Sequence, residues 1–298
     1  SMIAIGAAIG TGLFLGSGFA IGFAGPAVLL SYAFGALIAL LLMGCLAEMT
    51  AAHPTAGSFG SFAEHYIGPL AGFLVRYVYW ASLVLAIGTE ITAVAIYMGY
   101  WFAGVPGWYW ISAFSAALVG VNFINVKVFG RIEYSFSFIK LSAIIIFIIL
   151  GARLVATAPD GSGIGFSNYF ARGGFFPKGL FGAWAAGIPA CFSYLGVEMI
   201  AVASGEARNP QAAVVRAFRL TLVRLLVFYL LTLGLMMAII PWYQASVKES
   251  PFVLVMEATR VPGAASLLNF VVLVAALSAM NSQLYTATRM MFSLARGG

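Results

Sequence analysis

Runs of about twenty mostly apolar residues recur along the whole chain, and no other feature of the sequence constrains the fold as strongly. A helix rises about 1.5 Å per residue, so roughly 20 residues cross the ~30 Å hydrocarbon layer of a bilayer. Eight such runs fall at about 2–22, 26–50, 69–102, 108–124, 131–155, 179–203, 217–240 and 264–288. The third is long enough to hold a strongly tilted helix. Composition agrees: 62% of the 298 residues are apolar and 8% are charged, against about 45–50% and about 25% in an ordinary soluble domain. No segment alternates in the ten-residue pattern of an outer-membrane barrel. The first run lacks the basic n-region of a cleavable signal peptide. The expected fold is an all-α polytopic membrane protein.

The charges exclude several classes. The formal balance is +6, but the 15 basic residues are scattered between apolar runs and form no stripe suited to nucleic acid. Cys45 and Cys191 both lie in apolar runs, which rules out a disulfide-stapled fold and a four-cysteine metal centre. No metal and no cofactor are expected. Loops after even-numbered runs, with their flanks, carry Arg76, Lys127, Arg131, Arg208, Arg216, Arg219, Arg224, Arg289 and Arg296. Loops after odd-numbered runs carry Arg153, Arg172, Lys178, Lys248 and Arg260. Nine against five places the even loops and the start of the chain in the cytoplasm. Trp101, Trp108, Trp110, Trp242 and Tyr243 fit interfacial anchors. The chain opens on Ser1 inside an apolar run and stops in LARGG, which reads as part of a longer protein.

Two runs carry sequence that argues for a broken helix. Backbone that leaves the helix inside a bilayer survives only where it lines a protected cavity. The first run, GAAIGTGLFLGSGFAIGFAG, has glycines at 6, 10, 12, 16, 18, 22 and 25. Gly6/Gly10, Gly12/Gly16 and Gly18/Gly22 also form small-xxx-small pairs of the kind used in helix packing. Gly10-Thr11-Gly12 reads instead as an unwound turn, since two glycines so close lower helix stability with little packing gain. The sixth run, WAAGIPACFSYLGVEMIAVASGEARNP, combines Pro189, Ser193, Gly196 and Glu198 within ten residues. Proline alone would give an ordinary kink. Runs one and six stand five apart, and paired interruptions at matching positions of two halves point to a site at the bilayer midplane. Residues 13–22 then form a half-helix whose free N–H groups suit a carboxylate. The unwound carbonyls before Gly10 and around Phe192 to Leu195 suit an ammonium, so the pair fits a zwitterionic amino acid.

Three charges lie at membrane depth. Lys140, in FSFIKLSAIIIF, costs about 2.5–3.5 kcal/mol near a span centre unless it faces the bundle interior or snorkels toward Arg131. Facing inward, its ammonium would hold the carbonyls of the first break as a cation does. Glu90, in IGTEITAV, has no basic neighbour at helical spacing and reads equally as a structural hydrogen-bonding group or a functional acid. Glu198 falls in the sixth-run break, which suits proton exchange. Glu48 and Glu206 sit at cytoplasmic ends as caps or gate contacts. His53 and His65 fall in a polar turn around PTAGS and offer no haem ligation. An intramembrane protease is poorly served, because Asp160 is the only aspartate and HExxH is absent.

At these positions the chain resembles the amino acid–polyamine–organocation superfamily, within it the bacterial amino acid permeases. IGTGLFLGSG (9–18), LAEMTAAHPTAGSFGSFAEHYIGPLAGF (46–73), GTEITAVAIYMGYW (88–101), GRIEYSFSFIK (130–140), FSYLGVEMIAVASGEARNP (192–210) and SAMNSQLYTATRMMFSLAR (278–296) carry the resemblance in family order. It implies a twelve-span fold whose first ten helices form two inverted five-helix repeats. Residues 1–157 would be the first repeat and 178–298 the first three helices of the second, with helices nine to twelve absent. It implies that Gly10, Thr11 and Gly12 bind the substrate carboxylate, with the carbonyls of Ala8 and Ile9 near its amine. Phe192, Ser193, Tyr194, Leu195 and Gly196 would line the sixth-span side. Lys140 matches a lysine that stands in for a sodium ion in relatives, and Glu90 and Glu198 match acids tied to coupling or recognition. Leu195 stands where this group often has Gln, and the third-span motif ends in Gly99-Tyr100 rather than a polar pair. The resemblance implies a non-enzymatic amino acid transporter of the cell membrane that works by alternating access, with a proton as co-substrate and lipid as its surroundings. An exchanger or facilitator of the same fold is the alternative, and a channel, a nutrient sensor or an intramembrane enzyme stands further off. The mostly apolar lining favours neutral or aromatic over cationic substrates.

Overall fold

The computed structural model describes residues 9–53, 58–124, 126–159, 161–198, 210–245 and 249–296. Among these residues the structure is all-α, with no strand. The first run is helical as α1 (Thr11–Phe14) and α2 (Gly16–Ala24), which a short 3₁₀ turn through Pro26 joins to α3 (Val28–Ala52). A short helix α4 (Ser58–Tyr66) precedes α5 (Pro69–Gly99), α6 (Gly107–Ile124) and α7 (Val126–Thr157). The sixth run supplies α8 (Gly179–Ala185) and α9 (Gly187–Phe192). Beyond it lie α10 (Pro210–Ile239), α11 (Pro251–Ala258) and α12 (Ala264–Arg296). His65 thus lies in α4 rather than in a turn, because SFGSFAEHY puts Phe59 and Phe62 on one face, turned inward.

Four helical stretches are long and apolar enough to cross a membrane: Gly16–Thr50, Pro69–Gly99, Tyr134–Thr157 and Ala264–Phe292. Gly179–Phe192 and Leu225–Ile239 are shorter apolar helices. The bundle is built for an apolar solvent. Large side chains such as Leu41, Leu85, Ile149, Leu180 and Ile188 face outward. Exposed apolar area on this scale would drive association in water. The interior, by contrast, holds Glu90, Lys140, Asn269, Asn281 and Gln283, all nine-tenths or more buried.

Helix α12 is the central post. Two thirds of its most apolar stretch is buried, against 17–39% in the other three. Its broadest contact is with α5, and it also packs against α7 and α11, while α10 packs against α3 and α7. Polar side chains bond these helices where lipid offers no partner. Asn269 Nδ2 donates to the Tyr97 carbonyl (2.8 Å), and Asn122 Nδ2 donates to Asn281 Oδ1 (2.9 Å). At one end α11 lies over α1 and α7. Ser250 Oγ donates to the Phe14 carbonyl at 2.7 Å, and Phe252, fully buried, packs between Phe14 and Phe147 with ring centroids 4.9 and 4.7 Å away. At α4, Arg76 is buried and forms an ion pair with Glu64 at 2.7 Å.

Candidate functional site

The first break falls one residue earlier than the glycine pattern suggests. Ile9 is non-helical and Gly10 is an extended N-cap (φ −127°, ψ −155°), whereas Thr11 and Gly12 are already in α1. The reason lies 79 residues away: the Thr11 N–H donates to both carboxylate oxygens of Glu90 on α5, at 3.2 Å each. Glu90 therefore caps the helix start that the sequence reading gave to an outside carboxylate. A carboxylate at this end is favoured by the orphan N–H groups and the partial positive charge there. On the other side of the break, Lys140 Nζ from α7 donates to the Ile9 carbonyl at 3.1 Å and is fully buried. Lys140 turns into the bundle and does not snorkel. An acid and an ammonium thus hold the amide and the carbonyl sides of one interruption. Ala8 lies outside the described residues.

The second break follows α9. Pro189 does not end a helix; it sits in the first turn of α9, where a missing N–H costs little. The chain leaves the helix at Ser193 and runs through turns to Glu198. Gly196 has φ +101°, a left-handed conformation that L side chains rarely adopt. Its N–H donates to Glu198 Oε1 and Oε2 at 3.1 and 2.9 Å, and Tyr79 OH on α5 donates to Glu198 Oε1 at 2.8 Å. Glu198 thus folds back onto its own turn and lines an apolar groove formed by α3, α5 and the start of α4, whereas Glu90 lines the space beside Gly10 and Gly12. Glu206 lies outside the described residues, and Glu48 is exposed.

The two breaks meet at Gly12 and Ser193. A Cβ on Gly12 would stand 2.8 Å from Ser193 Cα, so only glycine admits this approach. Three tyrosines then fix the turn. Tyr32 OH lies 3.0 Å from Ser193 Oγ, Tyr229 OH donates to the Ser193 carbonyl at 2.9 Å, and Tyr194 OH donates to the Tyr32 carbonyl at 3.1 Å. The Ser193 carbonyl, expected to await an ammonium, is thus held by Tyr229.

Between these parts lies a small cavity, about 10 Å3 and so no larger than one water, lined by Gly10, Gly12, Glu90, Phe192, Ser193, Leu195, Ala279 and Gln283. Of the residues singled out in the sequence, Gly10, Gly12, Phe192, Ser193 and Leu195 meet here with Glu90. Tyr194 is turned toward Tyr32, and Lys140 stands behind Ile9. Missed were Tyr32, Tyr229, Ala279 and Gln283. The polar cluster Ser278, Asn281, Ser282, Gln283 and Thr286 in an otherwise apolar run was the available signal, since polar groups at membrane depth face the bundle interior.

The family model described as "Amino acid permease" matches residues 1–298. The chain is 44% identical over 297 residues to the uncharacterized amino acid permease YtnA of Bacillus subtilis (strain 168), covering 99% of this chain and 64% of that protein. It is 43% identical over 296 residues to the gamma-aminobutyric acid permease of the same organism, with 99% and 63% covered. Against the aromatic amino acid transport protein AroP of Escherichia coli O6:H1 it is 40% identical over 297 residues, with 100% and 65% covered. The chain spans just under two thirds of the length of these curated relatives.

Proposed function

We propose, from the premise that the chain belongs to the amino acid permease family, that the complete protein carries an amino acid across the cell membrane by alternating access coupled to a proton. The observation that carries this reading is the polar cavity between two interrupted helices, with Glu90 on the Thr11 amide and Lys140 on the Ile9 carbonyl. Glu90 on the amide side and Lys140 on the carbonyl side occupy the places that a zwitterion's carboxylate and ammonium would take.

In this reading a substrate carboxylate replaces that of Glu90 at the Thr11 N–H. Two carboxylates cannot share one amide donor without repulsion, so Glu90 leaves as the substrate arrives. Protonation favours its leaving, because a neutral carboxyl is the weaker acceptor. Proton and substrate binding are then linked at one atom. Lys140 keeps the Ile9 carbonyl neutralised throughout, in the manner of a fixed cation. Gly10, Gly12 and the carbonyls of Ala8 and Ile9 frame the amino acid group, and Phe192, Ser193, Leu195 and Gly196 wall the side-chain end. Tyr194 and Tyr229 hold the turn, and Glu198 fixes its far end through Gly196. The relatives' names include gamma-aminobutyric acid and aromatic amino acids, which supports an amino acid as substrate without choosing one.

The same reading takes the eight apolar runs as eight spans, in two inverted repeats at 1–157 and 178–298, with the start of the chain in the cytoplasm. The test is uptake by the complete protein in proteoliposomes. An inward proton gradient should drive accumulation of an amino acid, and a sodium gradient should not. Accumulation driven by sodium and insensitive to pH overturns the coupling. Counterflow without net uptake selects an exchanger.

A further inference from the structure

One buried polar side chain lining the cavity has an oxygen with no partner among the described residues. Gln283, on α12, is only 6% exposed, and among the described residues nothing hydrogen-bonds its Oε1. The other amides buried on this helix behave differently: Asn269 is spent on the Tyr97 carbonyl and Asn281 on Asn122. Buried polar side chains in a membrane bundle ordinarily join helices in this way, and an exception calls for a partner from elsewhere. Gln283 lines the cavity with Ala279, one helical turn before it, so both face the breaks.

The neighbours define what enters. Gly10, Gly12 and Ala279 contribute almost no side-chain volume, Phe192 and Leu195 contribute apolar walls, and Gln283 is the polar end. We propose that Gln283 selects the substrate by its side chain, and that the transported amino acid is neutral with a hydrogen-bonding group on a short side chain: an amide, a hydroxyl or an imidazole. This rests on the amino acid transport reading. A primary amide offers a carbonyl acceptor and an N–H donor, and the two exchange by a flip about the last torsion. It pairs with neutral polar groups of either sense. A cationic side chain lacks an anion here, because Glu90, the acid lining this cavity, is protonated and neutral in the transport reading when the substrate is bound. An anionic side chain finds no cation among the lining residues. A site that presents an unpaired amide rejects a purely apolar analogue of the same size, because binding that analogue leaves the amide desolvated and unsatisfied.

The experiment is competitive uptake by the complete protein, with all twenty amino acids as competitors, for the parent and for Gln283→Leu and Gln283→Met. Two isosteric variants guard against a folding defect peculiar to one of them, and each is checked by monodispersity in detergent. The parent should prefer a neutral polar amino acid. Both variants should raise its KM by roughly tenfold, leave the maximal rate within about twofold, and move the preference toward apolar side chains of similar size. An unchanged order of preference overturns the proposal. So does an equal loss for every amino acid, which would put Gln283 on the shared ammonium or make it a packing residue. If the parent transports no amino acid, the underlying reading fails instead, so the two failures are distinguishable.

Discussion

Replacing Gly12 by alanine probes the contact that brings the two interrupted helices together. The added methyl would lie 2.8 Å from Ser193 Cα and 3.2 Å from both its N and Oγ. Ordinary carbon contacts are about 3.5–4.0 Å, so the α9 turn must retreat by roughly 1 Å. Backbone offers no rotamer through which to escape. Overpacking of this kind costs about 1–3 kcal/mol. The retreat also stretches the bonds of Tyr32 to Ser193 Oγ (3.0 Å) and of Tyr229 to the Ser193 carbonyl (2.9 Å). Each buried hydrogen bond is worth about 0.5–1.5 kcal/mol net. A loss of about 2–4 kcal/mol follows, which lowers the unfolding midpoint by several degrees, on the order of 5–10 °C for a domain of this size. Gly22→Ala is the matched control, in the same half of the run, because nothing stands within 4 Å of its Cβ position. There alanine gains helix propensity, up to ~1 kcal/mol, and the midpoint should hold or rise. Thermal unfolding of the complete protein in detergent, followed by tryptophan fluorescence, reads both variants. A Gly12→Ala midpoint within 2 °C, on the order of the measurement error, with full amino acid uptake would refute the reasoning, since the helices would then have slack at their closest approach.

Three further outcomes follow from the packing. Phe252→Ala empties the space between Phe14 and Phe147 and should cost about 3–5 kcal/mol; a cysteine placed at position 14 should become markedly more reactive to a membrane-impermeant thiol reagent, and unchanged labelling would show that α11 does not cover α1. Tyr229→Phe removes the donor to the Ser193 carbonyl while keeping the ring, and should lower the midpoint by a few degrees and slow uptake of every substrate alike. Burial first, and then the charge of Glu257, hold the carboxyl of Glu249 above the usual carboxylate range. The folded state therefore binds this proton more readily than the unfolded state, so its contribution to stability is present at low pH and is lost as pH rises through the folded pKa. Glu249→Gln should flatten the dependence of the unfolding midpoint between mildly acidic and neutral pH, and an identical pH profile would remove Glu249 as its source.

What the sequence disclosed and what it withheld divide along the range of the forces involved. The apolar runs were legible because a bilayer imposes a length and a polarity on each helix separately, and the structure has helix at each run within the described residues. The interruptions were legible as regions but not to the residue. The GTG stretch contains three candidate positions for a break, and the choice between them is made by Glu90, which caps Thr11 from another helix. Local propensity cannot register a cap that arrives from 79 residues away. Pro189 left the mark that a proline alone leaves: the apolar helix Gly179–Phe192 is interrupted at Ala186, next to the Ala185 carbonyl that the missing N–H would have bonded. Lys140 was the most informative single letter, because a lysine at membrane depth must find an oxygen, and the Ile9 carbonyl is the one the first break exposes. Tyr32 and Tyr229 gave no such signal. A tyrosine in an apolar run is satisfied equally as core or as donor, and only the meeting of α3, α9 and α10 decides that both phenols end on Ser193. Gln283 is the intermediate case. Its polarity within an apolar run was visible, but so was that of Asn269 and Asn281, and the three differ only in which of them finds a partner. The residues that join helices and the residue that faces the cavity are the same chemistry at different points on one helix. The role proposed for Gln283 therefore rests on what the packing leaves unpaired.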